Sequence, residues 1–117
     1  MGGVESCVFC RIANQELPAN IVYEDDESIA FADINPKAPV HILIVPRRHL
    51  STLLDAGDGD DRLLGRLLLV ANSVARQQGI ADRGFRLVLN CNSEGGQVVF
   101  HLHLHLLGGR RLGWQPA

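Results

Sequence analysis

Three of the five histidines in this chain fall at every second position of one segment, His101-Leu102-His103-Leu104-His105-Leu106-Leu107. Side chains of an extended strand alternate between its faces, so the three imidazoles would project from one side while Leu102, Leu104 and Leu106 enter a core. Successive rings would start about 6.6 Å apart at the backbone. Neighbours can then share one substrate group. A polar strand face or an exposed histidine edge accounts for one such residue, but poorly for three in register behind Gly95-Gly96-Gln97. A three-histidine metal centre needs ligands from separate elements, which one straight strand does not supply. A neutral imidazole with one nitrogen protonated and the other bare is a competent nucleophile at pH 7.

Cys7 and Cys10 form a second grouping. Two residues between cysteines make a metal knuckle when two further ligands arrive in space. A thioredoxin-like redox pair fits less well, because no βαβ unit surrounds it. Three cysteines are an odd number for a disulfide framework. Met1 to Ser6 shows neither the basic nor the apolar region of an export signal, so the cytoplasm is the expected location. A metal site or buried thiols remain, and Cys91, on an expected strand, reads as inert core.

The elements that must hold these groups are legible in outline. At 117 residues the chain is expected to form a single domain, residues 1–117. Its 46% hydrophobic and 21% charged composition is that of a globular protein. With 11 basic and 13 acidic residues, a large non-specific grip on nucleic acid is not expected. No apolar run reaches the ~20 residues of a membrane span.

A short helix is expected from Cys7 to Gln15, and strands over Ile21–Tyr23 and Ser28–Asp33. The acidic Glu24-Asp25-Asp26-Glu27 between them reads as a solvated turn without chemistry. Asn35-Pro36-Lys37-Ala38-Pro39 is a rigid loop. His41–Val45 is a central strand ended by Pro46. One long helix should run from Asp60 to Gln78, with an apolar stripe of Leu64, Leu67, Leu68, Ala71, Val74 and Ala75. Asp58, Asp60 and Asp61 suit its positive end, and Gly79 its C-terminal cap. Leu63, Leu69 and Val70 widen the stripe beyond one sheet face, which points to a subunit contact. Strands follow at Phe85–Cys91 and Val98–Leu107, joined by the Asn92–Gln97 connection. The expected fold is α+β: an antiparallel sheet of about five strands with one long helix, a short N-terminal helix, and the helices on one face.

The histidine segment resembles the triad after which the histidine triad (HIT) superfamily is named. The likeness extends over nearly the whole chain, through Phe9, Ile12, Phe31-Ala32-Asp33-Ile34, Ala38-Pro39, His41, Asn90, Gly95-Gly96-Gln97 and Leu107-Gly108-Gly109-Arg110. Gly-Gly-Arg after the triad, with Trp114, is similar to the histidine triad nucleotide-binding branch rather than to the dinucleoside polyphosphate hydrolases. The third histidine argues against the galactose-1-phosphate uridylyltransferases, which typically carry Gln there.

That resemblance implies cleavage of the P–N bond of purine nucleoside phosphoramidates, and of aminoacyl adenylates, without a cofactor in the chemistry. His103 would be the nucleophile, and His105 and His41 would donate to phosphate oxygens. Asp33 would hold the ribose hydroxyls, Phe9, Ile12, Phe31 and Ile34 the purine, and Asn90 the sugar or phosphate. Gly96, Gln97 and Val98 would complete the nucleotide site. Val98 stands where the best-known members have a Ser that assists the leaving group, and it has no donor. The resemblance also implies a structural zinc on Cys7, Cys10, His49 and His101, and a homodimer whose Gly109–Trp114 segment reaches the partner's site. A dinucleoside polyphosphate hydrolase and a nucleotide-binding regulatory module with little turnover are the alternatives.

Overall fold

The computed structural model describes residues 6–114. Residues 1–5, on which most of the export-signal reading falls, and 115–117 lie outside the described residues. Helix α1 (Val8–Ala13) is followed by strands β1 (Ile21–Glu24), β2 (Ser28–Ala32) and β3 (Val40–Pro46). A short 3-10 turn at Leu53–Asp55 leads into helix α2 (Asp61–Gln77) and strand β4 (Phe85–Val88). A second such turn, Ser93–Gly95, precedes strand β5 (Leu104–Gly108). The five strands make one antiparallel sheet in the order β1-β2-β3-β5-β4, so β5 is inserted between β3 and β4. This is the expected α+β architecture.

The two helices lie against opposite faces of the sheet, not on one face as the sequence suggested. Alternation along the strands divides the core in two. Ala30, Ile42, Ile44, Leu102, Leu104 and Leu106 join Leu63, Leu67, Val70, Ala71, Val74 and Ala75 of α2. Ile29, Phe31, Leu43 and Val45 instead meet Phe9, Cys10 and Ile12 of α1. Strands apolar on both faces require a cover on each, and the short N-terminal helix supplies the second one.

The stripe on α2 differs from the expected one at its edge. Leu63 and Val70 are core residues, whereas Leu68 and Leu69 are about half exposed, side by side on the outer surface. The helix begins one residue later and ends one earlier than expected, with Asp60 and Gln78 as caps. Asp60 makes no side-chain cap; its carboxylate accepts from Arg48 (2.6 Å) and from the Gly57 N–H (2.9 Å). Helix α1 stops at Ala13, before the expected Gln15, because Gln15 takes the left-handed φ of +63°. Among the described residues no helix is long and apolar enough to cross a membrane.

The last strand is shorter than its alternating sequence. Strand β5 starts at Leu104, so His101, Leu102 and His103 lie outside the ladder. Its register with β3 pairs Ile44 with Leu104, which would bring Pro46 opposite Leu102. Proline has no N–H to give, and the Leu102 N–H turns to the Leu50 carbonyl instead (2.7 Å). Strand β4 likewise ends at Val88, opposite His105, rather than running on to Cys91.

Candidate functional site

The alternation survives where the ladder does not. His101, His103 and His105 turn to the α1 side while Leu102, Leu104 and Leu106 are buried beneath α2. The His101 and Phe9 rings meet at 5.9 Å, those of His103 and Phe9 at 5.1 Å, and those of His103 and His105 at 4.9 Å. Each imidazole then finds different partners, and the partners decide its tautomer.

His103 Nδ1 lies 2.7 Å from the His101 carbonyl. A carbonyl only accepts, so Nδ1 carries the proton and Nε2 keeps its lone pair. The ring is buried, which pushes its pKa below the ordinary histidine value, although the His101 carbonyl opposes the shift. His105 is pushed down to about 4 by burial, reinforced by the neighbouring His103 and His41. Burial also lowers His41, against the pull of the Asp33 carboxylate. These three rings are therefore uncharged at neutral pH.

His41, on β3, is nearly enclosed, and both of its nitrogens are engaged. Nδ1 accepts the Lys37 main-chain N–H at 3.0 Å, and Nε2 faces His105 Nδ1 at 2.9 Å and Asp33 Oδ2 at 3.4 Å. Asp33 Oδ1 accepts the Asn35 N–H at 2.8 Å. Asp33, His41 and His105 are close enough to hold a cation. The Lys37 N–H argues otherwise: it keeps Nδ1 of His41 unprotonated, so the neutral ring has its proton on Nε2, where a metal would need a lone pair. A hydrogen-bonded chain is the better description.

Further along the triad the chemistry changes. His101 is wholly buried, and its Nε2–H donates to the Pro46 carbonyl at 2.7 Å, leaving Nδ1 bare. Around that nitrogen stand Cys7 Sγ (3.3 Å), Cys10 Sγ (3.5 Å) and His49 Nδ1 (3.2 Å), with Cys10 Sγ 3.2 Å from His49 Nδ1. The Cys7 side chain also accepts from the Cys10 N–H at the start of α1, so one cysteine caps the helix that presents the other. Burial pushes the Cys10 thiol up to about 11 and His101 down to about 4. Tetrahedral zinc with two sulfur and two nitrogen ligands would separate the ligand atoms by about 3.3–3.8 Å. The observed spacings fit that set, and His49 Nε2 and His101 Nε2 have outer partners in Ser51 Oγ (3.2 Å) and the Pro46 carbonyl.

The other expected residues are dispersed in their surroundings. Phe9, Ile12 and Phe31 are buried in the α1 cluster, whereas Ile34 stands 91% exposed on the loop after β2. Asn90 donates to the Gly95 carbonyl at 2.7 Å. Gly96 takes a φ of +86°, open only to a residue without Cβ at little cost. Gln97 is buried: its amide donates to the Ser51 and Val99 carbonyls (2.7 and 3.1 Å) and accepts from the Asn92 N–H (2.8 Å). Val98 is 86% exposed. A cavity of about 540 Å³ lined by Val40, Ile80, Arg83 and Arg110 lies at the C-terminal end of α2, away from the imidazoles.

A main-chain carbonyl near His101 was expected to take the Nδ1 proton of His103, and the His101 carbonyl stands there; what sequence reasoning missed is other main chain, the Lys37 amide and the Pro46 and Leu50 carbonyls. Such atoms carry no residue signature. The available signal was the Pro36–Pro39 loop and Pro46 itself, which announce rigid backbone next to His41 and opposite the triad.

A family model described as the HIT domain matches residues 14–112. The match begins beyond Cys7 and Cys10, so the metal-ligand geometry stands on its own distances. An uncharacterized HIT-like protein of Synechocystis sp. is 54% identical over 113 residues, covering 97% of this chain and 98% of its own. The purine nucleoside phosphoramidase of Escherichia coli is 49% identical over 109 residues, covering 93% and 92%. The crystal structure of a HIT family hydrolase from Legionella pneumophila matches with a TM-score of 0.93 at 49% identity, covering 96% of this chain and 100% of that one.

Proposed function

This chain belongs to the HIT domain family, and from that membership we propose that it hydrolyses the P–N bond of purine nucleoside phosphoramidates through a nucleotide carried on His103. The observation that carries the proposal is the His103 Nδ1 contact to the His101 carbonyl at 2.7 Å. It presents a bare Nε2, the nitrogen that must attack.

In the first step Nε2 of His103 bonds to the α-phosphorus and the P–N bond breaks. The amine leaves with the electron pair of that bond and takes its proton from water. Water then attacks phosphorus, the His103–P bond breaks, and nucleoside monophosphate departs as the imidazole returns to its neutral form. His105 donates to the phosphate oxygens, where negative charge accumulates. Asp33 takes the ribose hydroxyls, and the base rests beside Ile34 at the edge of the Phe9, Ile12 and Phe31 cluster. Gly96 lets the backbone approach the phosphate, with Asn90 and Gln97 holding that loop. Exposed Val98 leaves the leaving group without a side-chain donor at that position.

A structural zinc belongs to this reading, held by Cys7, Cys10, His49 and His101. It would tie α1 to the segment before β5 and supply no step of the reaction. A homodimer belongs to it as well, and the paired exposure of Leu68 and Leu69 supports it. Light scattering at micromolar concentration reads the assembly directly, and a monomer would remove that part.

The test of the whole is mass spectrometry of enzyme mixed with an adenosine phosphoramidate and quenched early. A nucleotide adduct on His103 is expected. Rapid turnover with an adduct on another residue, or with none at any quench time, would sink the mechanism.

A further inference from the structure

We propose that the main-chain N–H of Lys37 sets the direction of a hydrogen-bonded relay ending at the outward nitrogen of His105, so that the Lys37 loop is a positioning element of the reactive site. The kinetic consequence rests on the phosphoramidase reading; the relay itself does not.

The direction follows from which atoms can give a proton. The amide of Lys37 only donates, and it lies 3.0 Å from His41 Nδ1. That nitrogen therefore holds a lone pair, and the single ring proton of neutral His41 sits on Nε2. Nε2 is 2.9 Å from His105 Nδ1, which must accept. The ring proton of His105 is left on its own Nε2, the nitrogen of the pair not consumed by the other contacts. With the opposite tautomer, His41 Nδ1 would meet Lys37 donor to donor. His105 would then donate inward and turn a lone pair toward the phosphate oxygens. A lone pair there repels the charge that a donor would stabilise. One amide thus decides whether His105 faces the phosphate as donor or acceptor.

The loop carrying that amide is held at both ends. Asp33 Oδ1 accepts the Asn35 N–H at 2.8 Å. From the end of β5, Arg110 donates to the Lys37 carbonyl at 3.2 Å. Gly109, with a φ of +94°, sits so close beneath the loop that a Cβ there would come within 2.8 Å of Pro39 Cβ. Val40 pairs with Gly108 across β3 and β5. The clamp therefore sits on the same two strands that carry His41 and His105. Lys37, Gly109 and Arg110 act through His41, and none touches the reacting atoms.

Substitution at Lys37 separates the amide from the side chain. Lys37→Pro deletes the N–H, whereas Lys37→Ala keeps it. Protonated and bare ring nitrogens are resolved by 15N NMR of histidine-labelled protein, with resonances assigned through His41→Gln and His105→Gln. The wild type and Lys37→Ala should both show His41 protonated at Nε2, and Lys37→Ala should keep kcat within about 2-fold. Lys37→Pro should show His41 with mixed or inverted protonation and kcat lower by about 10- to 100-fold, with KM changed by less than about 3-fold. Should Lys37→Pro not fold, Gly109→Ala, which pushes Pro39 and the loop away, should give the same split between kcat and KM. A wild-type spectrum with the His41 proton on Nδ1 overturns the relay, as does an unchanged kcat in folded Lys37→Pro. The spectrum reads the relay even where no phosphoramidate is turned over, so the two readings can fail separately.

Discussion

The two faces of the sheet are made from alternate residues of the same strands, yet they are built for different ends. Toward α2 the even-numbered residues Ile42, Ile44, Leu102, Leu104 and Leu106 join the leucines, valines and alanines of the helix, with Ile80, Tyr23 and Phe85 beside them. Toward α1 the odd-numbered ones are His41, Leu43, Val45, His101, His103 and His105, met by Phe9 and two cysteines. On the first face burial is spent on cohesion. On the second it excludes water from polar groups, and no buried side-chain nitrogen or oxygen among the described residues is left without a partner. Stability and reactivity are thereby divided by residue parity, and point substitutions can separate them.

The sharpest contrast is His103→Ala against Leu106→Ala, three residues apart but on opposite faces. His103→Ala should lower phosphoramidate turnover by at least about 10³-fold, since no other imidazole presents a bare Nε2 at that place. Leu106 is fully buried between β3, β4 and α2. Its truncation should cost about 2–5 kcal/mol in urea unfolding while kcat of the folded fraction stays within a few-fold. A Leu106→Ala enzyme that is stable but inactive would show that the faces are not independent.

Within the α1 face the comparison is between its two ends. At the His41–His105 end the side chains satisfy one another; at the Cys7, Cys10, His49 and His101 end two thiol sulfurs and two imidazole nitrogens converge with the chemistry of a metal-ligand set. On the proposed reading a metal belongs at the second end, whereas at the first the Lys37 N–H leaves His41 no bare Nε2 to offer one. Protein purified without added zinc should therefore carry about one equivalent of metal per chain. Cys10→Ser should lose most of it and melt several degrees lower. Wild type with only trace metal and an unchanged melting point in Cys10→Ser would leave the convergence to hydrogen bonding alone.

Side-chain periodicity made the fold readable, and main-chain partners made the site only half so. His-Leu-His-Leu-His announced its two faces without ambiguity, and the parity holds even at His101 and Leu102, where the ladder has already ended. The end of the ladder was hidden because it depends on which residue stands opposite, Pro46, and register is not written in one strand. The division of labour along the triad came from the family resemblance and not from the residues themselves, for the same reason. His101, His103 and His105 are alike in sequence, and differ only through the Pro46 carbonyl, the His101 carbonyl and His41. On α2 the helical period was right, and Leu67, Ala71, Val74 and Ala75 are core as expected; only the edge of the stripe differs, because the adjacent pair Leu63–Leu64 left the choice to tertiary packing, which buried Leu63 and Val70 and left Leu68 half exposed.

The β1–β2 turn gives the smallest test, because it splits four acidic residues that sequence treats as equals. Asp25 accepts from the Glu27 and Ser28 N–H groups, the Ser28 hydroxyl, Tyr23 and Arg66, all at 2.8–2.9 Å. Burial alone would raise its pKa, but these donors outweigh it and hold the carboxyl well below the ordinary carboxylate range. Its contribution to stability is thus present above the unfolded carboxylate pKa of about 3.9 and is lost as pH falls below it, where the unfolded chain binds the proton first. Asp25→Ala should cost about 1–2 kcal/mol at pH 7, and the difference from wild type should shrink toward pH 2. Glu27 meets only the exposed Arg62 through its side chain. Glu27→Ala should therefore leave the unfolding midpoint where it was at pH 7. Equal losses from the two substitutions would mean that the turn acts as a diffuse patch of charge, and that the bonds converging on Asp25 add nothing to it.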